Sequence, residues 1–338
     1  MKSLHATYGG GISSLELVDE PIPATGPGQV LLRLRANSLN FRELSVLRGN
    51  YALPVKPRMI MGADGAGEVV ETGPGVASVK TGDRCIVSIF PKWIDGRIDY
   101  AYAPQLGGSL DGLMTEYAVV DEAALVKFPH HLSFEEAVTL PCAGVTAWNA
   151  LSGARPLLPG DTVLTLGSGA VSLFAIQFAK LFGARVIATT SSDAKAEQLR
   201  AFGADETINY RTTPDWPAEV RRRTSGRGVD QVVETAGATL EKSIRCVALD
   251  GLVNFIGRLD SSDSTLDSNV LYRAAATVRV VFAGSRAQLA AACRALEVSG
   301  TRPLIDRSFA FEESIDAFSY FETRDAIGKV VIRHEGGE

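Results

Sequence analysis

Residues 162–195, TVLTLGSGAVSLFAIQFAKLFGARVIATTSSDAK, decide the fold. An apolar run rich in β-branched residues, Val163 to Leu166, enters the turn Gly167-Ser168-Gly169. A stretch of helical periodicity follows, roughly Val171 to Phe182, and then a second apolar run, Arg185 to Thr190. Strand, glycine turn, helix and strand spell a dinucleotide-binding βαβ unit. Gly167 permits the sharp turn and Gly169 lets the backbone approach a pyrophosphate. Ser168, Ala170 and Val171 complete the turn, and the helix behind them offers free N–H groups and a positive dipole end to that anion. The fingerprint's third glycine is replaced by Ser172, which is small enough to pack near the strand. Context rather than glycine spacing carries the reading, against the alternative of a βαβ unit that binds nothing.

Working outward, apolar runs at Glu206–Ile208, Gln231–Glu234, Leu252–Ile256 and Val278–Phe282 alternate with helical stretches. These helices are expected at Phe134–Ala154, Ala194–Phe202, Trp216–Thr224 and Leu240–Ala248. Six strands with helices between them predict an α/β Rossmann fold, a doubly wound parallel sheet, over residues 123–284. Residues 1–122 read differently. Short runs at Gln29–Ala36, Gly67–Thr72, Arg84–Phe90 and Leu113–Val120 sit between turn signals such as Gly73-Pro74-Gly75 and Gly82-Asp83, predicting an antiparallel barrel-like domain. The segment Pro91 to Gly112 is a long loop, of the kind that tends to be functional. The tail, 285–338, carries helices near Gln288–Ser299 and Glu312–Glu322. It ends in a strand, Lys329 to Arg333, expected to return to the first domain.

Composition bounds the function. In 338 residues, 46% are hydrophobic and 22% charged, which is ordinary for a globular protein. A net charge of −5 argues against nucleic acid or an anionic membrane as partner. Arg221-Arg222-Arg223 reads as a solvated helix end. No apolar stretch has spanning length and the N-terminus lacks a signal-peptide core, so a cytoplasmic location is expected. Cys85, Cys142, Cys246 and Cys293 form no CxxC pair, which fits a reducing compartment, and the four histidines form no HxxxH or HExxH pattern.

With these residues in view, the chain resembles the medium-chain dehydrogenase/reductase superfamily. The likeness rests on Pro27-Gly28-Gln29-Val30, Gly62 to Val69, Val79 to Arg84, Gly112 to Tyr117, Leu140 to Ala147, the glycine turn, Phe202 to Asp205 and Gly328 to Val331. It implies an N-terminal GroES-like domain, a Rossmann domain and an active site in the cleft between them. Zinc alcohol dehydrogenases of this superfamily hold their catalytic ion with a Cys, a His and a Cys. Those positions read Asn40, Ala63 and Cys142 here, and Pro91 to Gly112 contains no cysteine for a structural zinc. Alanine cannot ligate and an amide is a poor zinc ligand. The chain is therefore similar to the zinc-free branch, that of quinone oxidoreductases and their alcohol dehydrogenase-like relatives, with no metal expected.

Hydride transfer builds negative charge on the accepting oxygen, which a zinc-free site must meet with hydrogen-bond donors. Asn40 offers an amide, Arg42 a permanent cation and Tyr51 a phenol that can also donate a proton, with Glu43 beside them. Asp64 stands where the zinc branch has a glutamate. The alternative makes Arg42–Glu43 a structural ion pair and Tyr51 a packing residue. Cys142 reads as a small buried residue or, without a nearby histidine in sequence, a weakly supported nucleophile.

Thr146 resembles the family threonine that touches the nicotinamide. The second strand ends in Thr190, followed by Ser191 and Ser192, where an NAD enzyme usually has a carboxylate. Hydroxyls can bond a 2′-phosphate that a carboxylate would repel, and Lys195 and Tyr210-Arg211 lie close by in sequence, so NADP(H) is the expected cofactor. Asp193 keeps NAD open, and Ser192 can equally be a helix cap. Ala236-Gly237, Ile256-Gly257 and Ala283-Gly284 follow the carboxyl ends of later strands, where open sheets bind ligands. Arg286 is a candidate for the pyrophosphate and Lys329 for closing the pocket; each also reads as a surface charge. The expected partners are a small carbonyl, quinone, enone or alcohol substrate and, by pairing of Val278–Phe282, a second copy in a homodimer, unless burial inside one sheet explains that strand. A zinc enzyme with atypical ligands and a non-catalytic, RNA-associated nucleotide-binding protein are the competing readings.

Overall fold

A computed structural model describes residues 1–257 and 266–334. By its internal contacts the chain divides into two units, Met1–Val145 with Ser285–Glu338, and Thr146–Gly284. Residues 123–145, expected with the second domain, thus fall in the first unit; residues 335–338 of the tail lie outside the described residues.

The first eight strands are β1 (Lys2–Thr7), β2 (Glu16–Asp19), β3 (Gln29–Ser38), β4 (Arg58–Ile60), β5 (Asp64–Thr72), β6 (Arg84–Val87), β7 (Tyr117–Asp121) and β8 (Leu125–Lys127). Six more make the second unit: β9 (Thr162–Leu166), β10 (Arg185–Thr190), β11 (Glu206–Asn209), β12 (Val229–Glu234), β13 (Val247–Phe255) and β14 (Thr277–Val280). The tail adds β15 (Ile305–Ala310) and β16 (Lys329–Arg333).

In the first unit, β15-β16-β3-β5-β6-β8 form one sheet, with β7 also on β3, and β2-β1-β4 form a smaller one. The pairings of β3 with β5, β7 and β16 are antiparallel. The tail strand therefore returns to the first domain as expected, because Val330 and Ile332 need a core, and that core is shared with Leu4, Leu44, Leu47, Met61 and Phe318. Asn37 stitches the sheet at its centre. Its amide donates to the carbonyls of Asp64 (2.9 Å) and Leu113 (2.8 Å), and its oxygen lies 2.8 Å from His334 Nε2. With both amide hydrogens spent, the Asn37 oxygen must accept, so His334 carries its proton on Nε2.

The segment expected as one helix, Phe134–Ala154, is broken into Phe134–Ala137 and Val145–Ser152 by a wide turn at Leu140–Gly144. Pro141 has no N–H for a regular turn there. The long loop is anchored rather than loose. Trp93 is buried, its ring N–H donates to Gly96, and the carbonyls of Trp93 and Ile94 accept from Arg286 and Ala287 at the start of the helix Arg286–Ser299.

The second unit is one parallel sheet in the order β11-β10-β9-β12-β13-β14, the doubly wound arrangement predicted from the sequence. Val163, Leu164, Ile187, Val232 and Val253 are fully buried, as strands covered on both faces must be. Arg221-Arg222-Arg223 do form the last turn of the helix Trp216–Arg223, but Arg221 is bonded rather than merely solvated. Its guanidinium donates to the carbonyls of Gly226, Arg227, Arg245 and Val247, while Arg222 and Arg223 pair with Glu219.

Candidate functional site

Asn40 closes β3 and caps the helix Phe41–Leu47, a helix the sequence reading omitted. Glu43 reaches back from the first turn to accept from the Asn40 backbone N–H at 2.9 Å. Strand register brings two more charges to this point. Ser38 lies opposite both Val331 on β16 and Asp64 on β5. Lys329 precedes Val331 by two residues, so strand alternation sets it on the same face, level with Asn40. The Lys329 ammonium donates to Asn40 Oδ1 (2.8 Å), the Leu39 carbonyl (2.8 Å) and Asp64 Oδ2 (3.3 Å). That same Asp64 oxygen accepts from Ser38 Oγ (2.6 Å) and Asn40 Nδ2 (2.9 Å), while Asp64 Oδ1 is buried without a partner.

Arg42 forms the other half of the cluster. It donates to Glu43 Oε1 (2.9 Å), to the Gly107 carbonyl (3.2 Å) and to the Tyr51 hydroxyl (3.2 Å), with its guanidinium 4.9 Å from the Tyr51 ring centroid. Glu43 also accepts from the Ala63 N–H at 3.2 Å. Arg42 and Lys329 thus balance Glu43 and Asp64, with the Glu43 and Asp64 side chains at 0% exposure and Lys329 at 2%. Such a set is held by mutual pairing, and removing one member strands its partner's charge. Burial pushes the Glu43 carboxyl up; Arg42 opposes, Asp64 adds, and Lys329 opposes. For Arg42 burial works downward, but its interactions with Tyr51 and Glu43 outweigh it and leave the guanidinium above its ordinary value. Burial, with Asp64 adding, pushes the Cys142 thiol up, against Lys329, so it stays protonated at neutral pH and is no nucleophile. Tyr51 accepts from Arg42 and keeps its own O–H to give.

Asn40, Arg42, Glu43 and Tyr51 therefore meet as the sequence suggested, and the ion-pair reading of Arg42 and Glu43 holds at the same time. Lys329 is the residue the sequence reading undervalued. It is buried, 2% exposed, and so is no surface charge. The available signal was a lysine opening an otherwise apolar strand, Lys-Val-Val-Ile.

In the second unit, Gly167 turns at φ +76° and its N–H is held by the Thr189 carbonyl. The helix Ala170–Leu181 has Gly169 as its N-cap, with no side chain capping it. Its first backbone bond runs from Leu173 N–H to Gly169, which leaves the N–H groups of Ala170, Val171 and Ser172 without intrahelical acceptors. A Cβ built on Gly167 or Gly169 meets no atom within 4 Å. Packing therefore does not demand glycine at 169, whereas a closely approaching ligand would. Ser172, in place of the third glycine, is buried and donates to the Leu166 carbonyl at 2.6 Å, tying helix to strand.

At the end of β10, Thr190 is buried and its hydroxyl has no partner. Ser192 accepts from the Lys195 N–H at 3.3 Å, so it does cap the next helix, while Ser191 is half-buried beside it. The Asp193 carboxylate accepts from Asn209 Nδ2 at 2.9 Å, and the Tyr210 ring is 42% exposed. On the other half of the sheet, the buried Glu234 carboxylate accepts from the N–H groups of Ala236 (2.9 Å) and Gly237 (3.0 Å) and from the hydroxyls of Thr239 and Ser243. This fixes the loop after β12. Gly257 has a packing reason, since a Cβ there would lie 2.1 Å from the Thr235 carbonyl. Ile256 bonds back to Glu234, and the Ala283 carbonyl accepts from Asn149. Thr146 is buried in the helix Val145–Ser152. Arg286 belongs to the first unit, and its Nε donates to the Leu125 carbonyl at 3.1 Å, so it too is no free surface charge.

Among the described residues no three His, Cys, Asp or Glu side chains form a group that could hold a metal ion, and no helix is long and apolar enough to cross a membrane. Family comparison gives two matches, the alcohol dehydrogenase GroES-like domain over residues 26–130 and the zinc-binding dehydrogenase over residues 170–297. A zinc-type alcohol dehydrogenase-like protein of Schizosaccharomyces pombe is 39% identical over 96% of each chain. A chloroplast envelope quinone oxidoreductase homolog of Arabidopsis thaliana is 36% identical over 70% of this chain and 69% of its own. Among solved structures, an NAD-dependent alcohol dehydrogenase matches with TM-score 0.89 and 36% identity, covering 98% of this chain and 99% of its own. A mycobacterial protein complexed with NADPH matches with TM-score 0.83 and 26% identity over 98% and 100%. The chain belongs to the medium-chain dehydrogenase/reductase superfamily, as an oxidoreductase of its alcohol dehydrogenase and quinone oxidoreductase-like branch.

Proposed function

We propose that this protein is a zinc-independent, NADP(H)-dependent oxidoreductase that transfers a hydride to or from a small carbonyl, quinone or enone, or the corresponding alcohol. One observation carries the metal-free part. Asn40 and Asp64, which flank the position where a metal would need ligands, are already bonded to the Lys329 ammonium. Ala63 has no donor atom, which leaves Cys142 as the single thiol at the three positions. Three positions so occupied do not fit a zinc ion.

The nucleotide would rest on the second unit. The uncapped N–H groups of Ala170, Val171 and Ser172, and the open space over Gly169, fit a pyrophosphate. The unpartnered Thr190 hydroxyl, Ser191 and the Lys195 side chain fit a 2′-phosphate better than a bare ribose, and Asp193 is turned to Asn209. When bound, the nicotinamide supplies or accepts the hydride. The chain's own task is then to meet charge on the substrate oxygen. Asn40 offers an amide N–H and Arg42 a fixed positive field, and Tyr51 holds a transferable O–H proton.

The test is NADPH and NADH oxidation against a panel of enones, quinones and aldehydes, with zinc content measured on the same preparation. Turnover with NADPH preferred and zinc far below one per chain is expected. Inactivity across the panel with no nucleotide affinity sinks the proposal, as does stoichiometric zinc. A homodimer is part of the same reading. Among the described residues β14 is an edge strand, and Val280 (54% exposed) with Phe282 just beyond it (43%) offers apolar surface to a second copy, while Val278 and Val281 pack inside the unit. Sedimentation at micromolar concentration decides that point.

A further inference from the structure

We propose that Lys329 is a positioning residue that orients and polarises the Asn40 amide, making its remaining N–H the donor to the reacting oxygen. The inference rests in part on the oxidoreductase reading above, and deepens it by naming which group meets the substrate and what drives it.

The argument is one of donors and acceptors. An ammonium has three hydrogens and no acceptor. All three are engaged, on the Leu39 carbonyl, Asn40 Oδ1 and Asp64 Oδ2. Lys329 therefore has no hydrogen left for a ligand, and whatever it does it does through these partners. On the other side of the amide, the Asp64 carboxylate accepts only, so the Asn40 nitrogen must face it and the oxygen must face Lys329. The assignment of the amide is fixed from both ends by charge.

Asn40 Nδ2 carries two hydrogens. One goes to Asp64 at 2.9 Å; among the described residues the only other acceptor is the Ser38 carbonyl at 3.5 Å, the outer limit of a hydrogen bond. One N–H is thus spare on a residue 8% exposed. A cation on the amide oxygen draws electron density from nitrogen to oxygen, strengthens the C–N double-bond character and makes the spare N–H a better donor. The Lys329 charge arrives at the substrate relayed through an amide, and the buried Asp64 and Ser38 hold that amide still. The position is set by sheet register, since β16 pairs with β3 and β3 with β5.

The experiment uses the full-length chain and three variants, Lys329→Met, Lys329→Arg and Asn40→Asp, the last to assign the Asn40 resonances. Met fills the stem's space without charge; Arg restores a cation with several donors. In steady-state assays, Lys329→Met should lower kcat by about ten- to a hundredfold, the range for losing one charge-assisted hydrogen bond that matters in the transition state. KM and the separately titrated NADPH affinity should stay within about threefold, and Lys329→Arg should recover most of the lost kcat. In asparagine-selective ¹⁵N spectra, the paired Asn40 side-chain protons should shift in Lys329→Met and return in Lys329→Arg. A Lys329→Met kcat within threefold of the parent overturns the proposal, and so does an unmoved Asn40 pair. Equal losses of kcat, nucleotide affinity and melting temperature in Met and Arg alike would mean a structural lysine and also overturn it. If the parent enzyme turns over no acceptor, the oxidoreductase reading fails on its own account, and the spectra alone decide whether Lys329 controls the amide.

Discussion

Gly169→Ala separates the demands of the fold from those of the ligand. Gly169 has φ −74°, which alanine adopts freely, and its built Cβ meets nothing within 4 Å. Alanine is a poorer N-cap than glycine, a cost of about 0.5–1 kcal/mol, but it also restricts the unfolded chain by about 0.4–1 kcal/mol. The net change should lie within about 0.5 kcal/mol, or roughly 1–2 °C in melting temperature for a domain of this size. Nucleotide binding should respond very differently. A phosphate oxygen at hydrogen-bond distance from the Ala170 and Val171 N–H groups would sit where the new methyl group stands, and a shift of under 1 Å forfeits a charged hydrogen bond. At about 2 kcal/mol for such a bond, affinity falls about thirtyfold. Gly167→Ala is the contrasting control, because φ +76° costs alanine about 1–2 kcal/mol and should lower the melting temperature as well. Differential scanning fluorimetry with and without NADPH, together with fluorescence titration, reads both quantities. A folded Gly169→Ala variant that binds NADPH as tightly as the parent would refute the assignment of this turn to the pyrophosphate.

His334 gives a stability prediction. Burial, aided by Arg35, depresses it from 6.5 to about 3, so the unfolded chain binds a proton that the folded chain refuses. Its contribution is intact above pH 6.5 and drains away as pH falls towards 3, reaching about 2–3 kcal/mol lost near pH 4.5. Urea unfolding from pH 7 to 4.5 should show that slope in the parent and a shallower one in His334→Gln. Lys195→Glu should cut kcat/KM for NADPH by about tenfold or more while leaving NADH little changed; equal effects on both coenzymes would remove Lys195 from the 2′-phosphate site. Prolonged treatment with a strong chelator should leave activity and melting temperature unaltered, and a loss reversed by zinc would revive the atypical-ligand alternative.

The architecture was legible because its signals are local. In β9 to β12 the observed strands begin and end within about two residues of the apolar runs, since parallel strands buried on both faces are written as unbroken runs. Where the reading failed, the cause was also physical. Phe134–Ala154 has helical periodicity throughout, yet Pro141 imposes a wide turn that periodicity cannot register. The helix Phe41–Leu47 is under two turns long and owes its existence to the Asn40–Glu43 cap and to the burial of Leu44, Val46 and Leu47.

The site divides along the same line. Asn40, Arg42, Glu43 and Tyr51 lie within twelve residues, and chemistry alone was enough to group them. Lys329 is nearly three hundred residues away, and its place at the head of an apolar strand marks burial without naming a partner. What brings it to Asn40 is long-range register, and register is specified by the whole alternating pattern of β3, β5 and β16 rather than by any one residue. The cost of burying that ammonium offers an argument for its role. Lys329 strengthens no apolar contact that a methionine could not make, and a buried ion pair is weak grounds for stability. Yet the chain surrounds it with a carbonyl, an amide and a carboxylate, and keeps Glu43 and Arg42 as a second neutral pair beside it. Lys329 balances the buried Asp64, yet charge balance alone does not call for its shorter contact, 2.8 Å, with the Asn40 oxygen. The arrangement is better explained by a protein that still needs a positive charge near Asn40 and obtains it from its own backbone-anchored side chain.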